Sequence, residues 1–301
     1  MDKKFMQYIL LFLGTFALST SAIFVKLSEA PSSIIAFYRL SFTFLILLPF
    51  LFANKKNLRA IKGLTKKQLL IGGASGVFLS LHYLLWFESL KFTSVASSTV
   101  IVTLQPVFAF GASTLIFKEK FSKGVIFGAF ISIVGCVLIG WGDFQISGMA
   151  LVGDIMAFVA AGVITAYFFI GQILRQEIDV IPYSIVGYGM SSIILFFYSL
   201  ITRASFFNYS TLTWGCFLGL ALISTILGQV IFNWLLKWVS ASTVSMSILG
   251  ESVGTCILAY FILGEKLTLK QFIGILIILS GLLIYFINNK SKKDRTNKSL
   301  D

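Results

Sequence analysis

Charge and titratable chemistry are scarce in this chain. Only 12% of its 301 residues are Asp, Glu, Lys or Arg, acids are outnumbered by bases 12 to 24, and there is a single histidine. The three cysteines (Cys136, Cys216, Cys256) lie inside apolar runs without metal-ligand spacing, and are read as small buried apolar residues. No metal site and no cofactor is expected from this inventory. Proline occurs four times, and no Pro/Gly/Ser-rich linker marks off a soluble domain.

What fills the space is hydrophobic: 57% of the residues, at a mean hydropathy of +0.92. A soluble domain of this size has too little interior to hide that surface, so lipid is the solvent that fits. The charges cluster between apolar runs of roughly 20 residues, the length that crosses a bilayer as helix. Ten such runs are predicted, at about 7–27, 32–53, 67–90, 94–117, 122–142, 148–172, 181–201, 212–236, 240–263 and 268–288. The first lacks a small-residue cleavage site and is read as a retained helix. Pro106, within the fourth run, removes a helical hydrogen bond and predicts a kink or break there.

The sequence repeats itself at a period of 146 residues. Lys91 matches Lys237, Ser94 matches Ser240, Glu119-Lys120 matches Glu265-Lys266, and Gly128 and Gly135 match Gly274 and Gly281. Five spans separate the copies, so equivalent elements must cross the membrane in opposite directions. The fold class expected is an all-α integral membrane protein: ten transmembrane helices arranged as two inverted five-helix repeats around a central cavity. The repeats divide as residues 1–146 and 147–289, followed by a basic tail at 290–301.

Basic residues set the orientation. With both termini cytoplasmic, eighteen of the 24 lysines and arginines fall inside, including six between 55 and 67. The net charge of +12 is therefore a topology signal and not a nucleic-acid footprint. The tail is read as an anchor on anionic lipid. The loop acids Glu29, Asp143 and Glu177 carry little information.

Polar groups at membrane depth are the functional candidates, because a charge at mid-span costs about 2.5–3.5 kcal/mol to insert. In the ninth span Thr243, Ser247, Glu251 and Thr255 recur every four residues on one face. Glu251 is equivalent to Gln105 of the first repeat, and Thr243 to Ser97. His82, Tyr83 and Trp86 cluster in the third span. Thr225, Gln229 and Asn233 form a stripe in the eighth, and Tyr167 stands in the sixth. His82, Tyr83, Trp86, Gln105, Tyr167, Gln229 and Asn233 are the expected substrate-binding set, with Glu251 and His82 as candidates for proton coupling or the conformational cycle. Arg39, two turns into the second span, is expected to form a structural charge pair with Glu88, with a substrate carboxylate as its alternative partner. Ser and Thr in such helices also serve simply as packing and hydrogen-bonding groups.

Several segments resemble the drug/metabolite transporter superfamily, EamA type. They are Tyr38-Arg39-Leu40, Leu104-Gln105-Pro106-Val107-Phe108-Ala109, Lys118-Glu119-Lys120, Leu249-Gly250-Glu251-Ser252-Val253 and Gly264-Glu265-Lys266-Leu267-Thr268. The resemblance covers nearly the whole chain. It implies a cavity lined by spans 1, 3, 4, 6, 8 and 9 and movement of small metabolites, often export of amino acids. In aromatic-amino-acid exporters of the family, third-span aromatic and histidine side chains line the cavity, a description that His82, Tyr83 and Trp86 fit. Two positions depart from the family pattern. Ser252 stands where a Pro usually follows the ninth-span Glu, and Leu18-Ser19-Thr20 replaces a Trp-Gly pair in the first span.

These features lead to a secondary transporter in a plasma membrane, with a small-molecule substrate, the lipid bilayer as its environment and no nucleic-acid partner. A monomer is compatible with this reading. Uptake and drug efflux are the neighbouring readings. A membrane-embedded enzyme would need convergent catalytic groups, and a solute sensor would bind without flux.

Overall fold

The computed structural model describes residues 3–140 and 148–289, so Asp143, the expected end of the fifth span and the basic tail lie outside the described residues. Among the described residues there are helices and no strands. Ten helices among the described residues are long and apolar enough to span a membrane: Phe5–Leu27, Ser32–Ala53, Lys66–Phe92, Val95–Phe117, Lys123–Gly140, Gly148–Leu174, Val180–Ile201, Thr211–Leu235, Ala241–Leu263 and Leu269–Asn288. The chain is thus a multi-pass membrane protein. Its exposed surface is rich in Leu, Ile and Phe, as a lipid-facing surface must be.

The sequence repeat reappears as repeated local geometry. Ser94 and Ser240 both N-cap their helices with extended backbone, and each side chain accepts from the backbone N–H three residues on. Lys118 and Gly264 both end their helices in the left-handed region, at φ +52° and +69°. The next residue then closes the same bond, Glu119 N–H to Ser113 O at 3.1 Å and Glu265 N–H to Ala259 O at 3.2 Å.

Packing follows the same exchange of halves. The third span packs on the sixth as the eighth packs on the first, and the fourth packs on the sixth as the ninth packs on the first. The second span meets the seventh, and the fifth meets the tenth. In that last pair a Cβ on Gly128 would lie 2.8 Å from Gly281 O, and one on Gly135 would lie 2.8 Å from Gly274 O. Residues early in one helix therefore meet residues late in the other, so these matched helices run antiparallel. Only glycine permits so close a backbone approach.

Three local features position the centre of the molecule. The fourth span is broken as Pro106 predicts: one helix ends at Val102, another begins at Gln105, and Pro106 sits in its first turn. The ninth span passes through Glu251 unbroken, in keeping with Ser252 in place of a proline. The eighth span widens into a π-helix over Leu220–Val230, where the Thr225 hydroxyl donates to Leu220 O, five residues back, at 2.8 Å. Between the second and third spans lies a short helix absent from the sequence reading, Lys55–Lys62, capped by the Asn54 side chain.

Candidate functional site

A cavity of about 20 Å³ lies where the first, second, third, fourth, sixth, eighth and ninth spans converge. Its polar lining is Arg39, His82, Tyr83, Trp86, Gln105, Gln229 and Glu251. Leu18, Val102, Ile164, Phe168 and Ile248 supply the apolar part. The space holds about one water molecule and no metabolite. A ligand of metabolite size enters only if the spans part.

Arg39 is fully buried. Its Nη1 donates to Ser21 Oγ of the first span, and its Nε donates to Thr225 Oγ1 of the eighth at 2.9 Å. The guanidinium carbon lies 4.2 Å from the ring centre of Tyr83. The π-helical turn presents Thr225 to Arg39 while satisfying its own hydroxyl. The expected pair with Glu88 does not form. Glu88 sits near the end of the third span, half-buried, and its carboxylate binds Lys91 one turn on, at 2.8 Å. Arg39 instead faces the cavity that Glu251 also lines.

His82 and Trp86 stack with ring centres 5.7 Å apart. His82 Nδ1 lies 3.0 Å from Ala160 O; since a carbonyl only accepts, this nitrogen carries the proton and ties the third span to the sixth. Gln105 enters at the break in the fourth span, and Glu251 comes from the unbroken ninth. The two equivalent positions thus contribute an amide and a carboxyl group to one cavity.

Four buried atoms of the lining have no hydrogen-bond partner among the described residues: Arg39 Nη2, Trp86 Nε1, Gln229 Nε2 and Gln105 Oε1. Three are donors and one is an acceptor. An unsatisfied buried polar atom costs about 1–3 kcal/mol, and these four all belong to the lining of one cavity.

Two expected members lie elsewhere. Tyr167 and Asn233 are buried in a neighbouring cluster, where Asn233 Nδ2 donates to Tyr167 Oη at 2.6 Å and to Tyr188 Oη at 3.2 Å. Spacing alone put them on the right helices but not on the right arc of the helix surface. The ninth-span stripe also divides. Thr243 bonds the Tyr285 hydroxyl at 3.2 Å, whereas the Thr15 and Ser19 hydroxyls of the first span donate to the carbonyls of Ser247 and Glu251, and the Thr255 hydroxyl donates to Ser19 O. Of the four, only Glu251 reaches the cavity.

At the end that carries residues 55–67, here termed the basic end, Asp179 collects charges from separate segments. Its carboxylate is 2.8 Å from Lys56 Nζ and 3.8 Å from Lys237 Nζ. The hydrogen bond from Lys56, reinforced by the charges of Lys56, Lys237 and Arg175, holds the Asp179 carboxyl below its ordinary range. Nearby, Gln68 Nε2 donates to Glu177 at 2.7 Å.

Ten apolar helices around a buried polar cavity define a polytopic membrane protein of transporter architecture. The chain belongs to the EamA-like transporter family, which matches residues 5–141 and again 151–287. It is 27% identical over 238 residues to the uncharacterized transporter YyaM of Bacillus subtilis (strain 168), covering 74% of this chain and 76% of that one. An uncharacterized transporter of Archaeoglobus fulgidus is 24% identical over 90% of this chain and 93% of its own length. The uncharacterized transporter sll1164 of Synechocystis is 30% identical over 70% of this chain and 63% of its own. One solved crystal structure superimposes with a TM-score of 0.78 over 96% of this chain and 100% of the other; at 13% identity it speaks for the fold alone.

Proposed function

We propose that this protein is a secondary transporter in the plasma membrane. Its two halves form an inverted repeat that alternates access to the central cavity, both termini are cytoplasmic, and its substrates are amino acids or related small solutes that it exports. The observation that carries the substrate class is the set of unpaired atoms in the cavity. Arg39 Nη2, Trp86 Nε1 and Gln229 Nε2 offer donors, one of them cationic, to a carboxylate. Gln105 Oε1 and the Glu251 carboxyl group offer acceptors to an ammonium. A zwitterion satisfies both sets; a purely cationic drug leaves the donors unpaired. The aromatic and aliphatic lining, Trp86, Tyr83, Phe168 and Ile164, suits an apolar side chain.

The small cavity volume agrees with alternating access, since the binding space must be made by movement of the spans. The excess of lysine and arginine at the basic end supports placing that end, with both termini, in the cytoplasm. Family membership supports transport over catalysis or sensing. Direction follows the gradients and the coupling, so uptake is the same machine run backwards.

Efflux from proteoliposomes loaded with radiolabelled amino acids tests the reading, run with and without a pH gradient. Saturable efflux of amino acids in preference to cationic drugs is expected. Binding without flux would make the protein a sensor. Accumulation indifferent to the pH gradient would remove proton coupling through Glu251 or His82 and leave facilitated diffusion.

A further inference from the structure

Away from the cavity, the largest group of like charges close in sequence in the described structure is the connection between the second and third spans, with six basic residues over 55–67. Lys55–Lys62 is a helix of sequence Lys-Lys-Asn-Leu-Arg-Ala-Ile-Lys. At about 100° per residue, Lys55, Lys56, Arg59 and Lys62 fall within an arc of about 120°. Asn57 and Ile61 occupy the opposite side. Asn57 is buried with its Nδ2 donating to Phe50 O at 3.4 Å, and Ile61 packs on the core. The inward side thus fixes the helix against the bundle and turns its basic arc outward. Lys66 and Lys67 follow at the start of the third span, and all six cations are exposed. Only Lys56 has an acidic partner among the described residues.

Exposed apolar residues flank the cluster, Phe52 at 62% and Leu70 at 74%. These belong to the surface that faces lipid, so the cations stand at its edge, where headgroups lie. From this charge complementarity and this position we propose that the basic arc of Lys55–Lys62 binds anionic phospholipid headgroups of the adjoining leaflet. Lys56 lies at one margin of the arc and is held by Asp179. A bound headgroup competes with Asp179 for that ammonium, and so weakens the tie between the second–third connection and the start of the seventh span. This inference does not depend on what the cavity carries.

The test uses the purified full-length chain in lipid nanodiscs, with phosphatidylglycerol replacing phosphatidylcholine in steps and the thermal unfolding midpoint as the readout. The wild type is expected to gain stability with phosphatidylglycerol. K55Q/R59Q/K62Q is expected to lose at least half of that gain, while K55R/R59K/K62R and the opposite-end pair K266Q/K270Q retain it. An undiminished gain in the glutamine triple variant, or an equal loss in K266Q/K270Q, overturns the site. So does an equal gain on adding inorganic phosphate to phosphatidylcholine discs, which would make the site one for a soluble anion. D179N releases Lys56 and is expected to reach half-saturation at a lower phosphatidylglycerol fraction; an unchanged fraction overturns the competition.

Discussion

Arg39 joins four spans at one point: its own second span, the first through Ser21, the third through the Tyr83 ring and the eighth through Thr225. Its depth in the membrane was legible in the sequence, but its partners were not, because Glu88, near the end of the third span, is the acid the sequence offers and Lys91, one turn on, captures it. Lysine at position 39 would keep the charge but not the planar fork that serves Ser21, Thr225 and the cavity together. Arg39→Lys is therefore expected to fold and to lose most of the amino-acid-induced rise in unfolding temperature; a full-sized rise would take Arg39 out of the binding set. Asp179 supports a second residue-scale prediction. Its carboxyl is held below the ordinary value of 3.8, so its contribution to stability is present above that value and lost as pH falls through the lower folded one. Asp179→Asn should lower the unfolding midpoint slightly at neutral pH. The gap to wild type should stay constant from pH 8 to about 5 and close only below the ordinary carboxylate range.

At the scale of elements, the apolar runs announced all ten spans, because helix length in lipid is set by bilayer thickness and shows in hydropathy. The short basic helix escaped, since eight residues with few apolar positions look like a loop until the bundle supplies something for Asn57 and Ile61 to rest on. The π-helix at Leu220–Val230 escaped for another reason: periodicity in a uniformly apolar run does not report the width of the turn. Glycines such as Gly76, Gly128 and Gly135 signal close helix approach in the sequence, but which of the third-span glycines makes a contact does not show there, and that span offers a controlled comparison. A Cβ on Gly73 meets nothing within 4 Å, whereas one on Gly76 lies 2.6 Å from Gly187 O and 2.8 Å from Met190 Cβ. Gly73→Ala is expected to be neutral or to stabilise by up to about 1 kcal/mol through helix propensity. Gly76→Ala, three positions away, is expected to cost about 1–3 kcal/mol by forcing the third and seventh spans apart. Equal unfolding midpoints for the two variants would contradict the packing described.

For the molecule as a whole, the period of 146 residues was plain in the sequence, and its effect on caps, turns and helix partners can be followed atom by atom. The place where the halves differ was also legible, as Gln105 against Glu251, and both line one cavity. Why Tyr167 and Asn233 miss that cavity was not, because it depends on the rotation of the sixth and eighth spans about their own axes. The proposed orientation has a direct check. The native cysteines are buried, and in a cysteine-free background Lys120→Cys should react with a membrane-impermeant thiol reagent only from the cytoplasmic side. Lys266→Cys, its counterpart, should react only from the opposite side. Reaction of both from one side would refute the inversion.

The crossing glycines have one more implication. Gly128 touches the strip at Gly281, and Gly135 touches the strip at Gly274, so each half offers the other the surface it receives. That is the isologous relation of a two-fold dimer, drawn inside a single polypeptide. The linker between the halves then contributes proximity and not recognition. Residues 1–146 and 147–301 expressed as separate chains should therefore find one another and co-purify from the membrane. Gly128→Leu should prevent that pairing, because its added side chain would collide with backbone, which has no rotamer to yield.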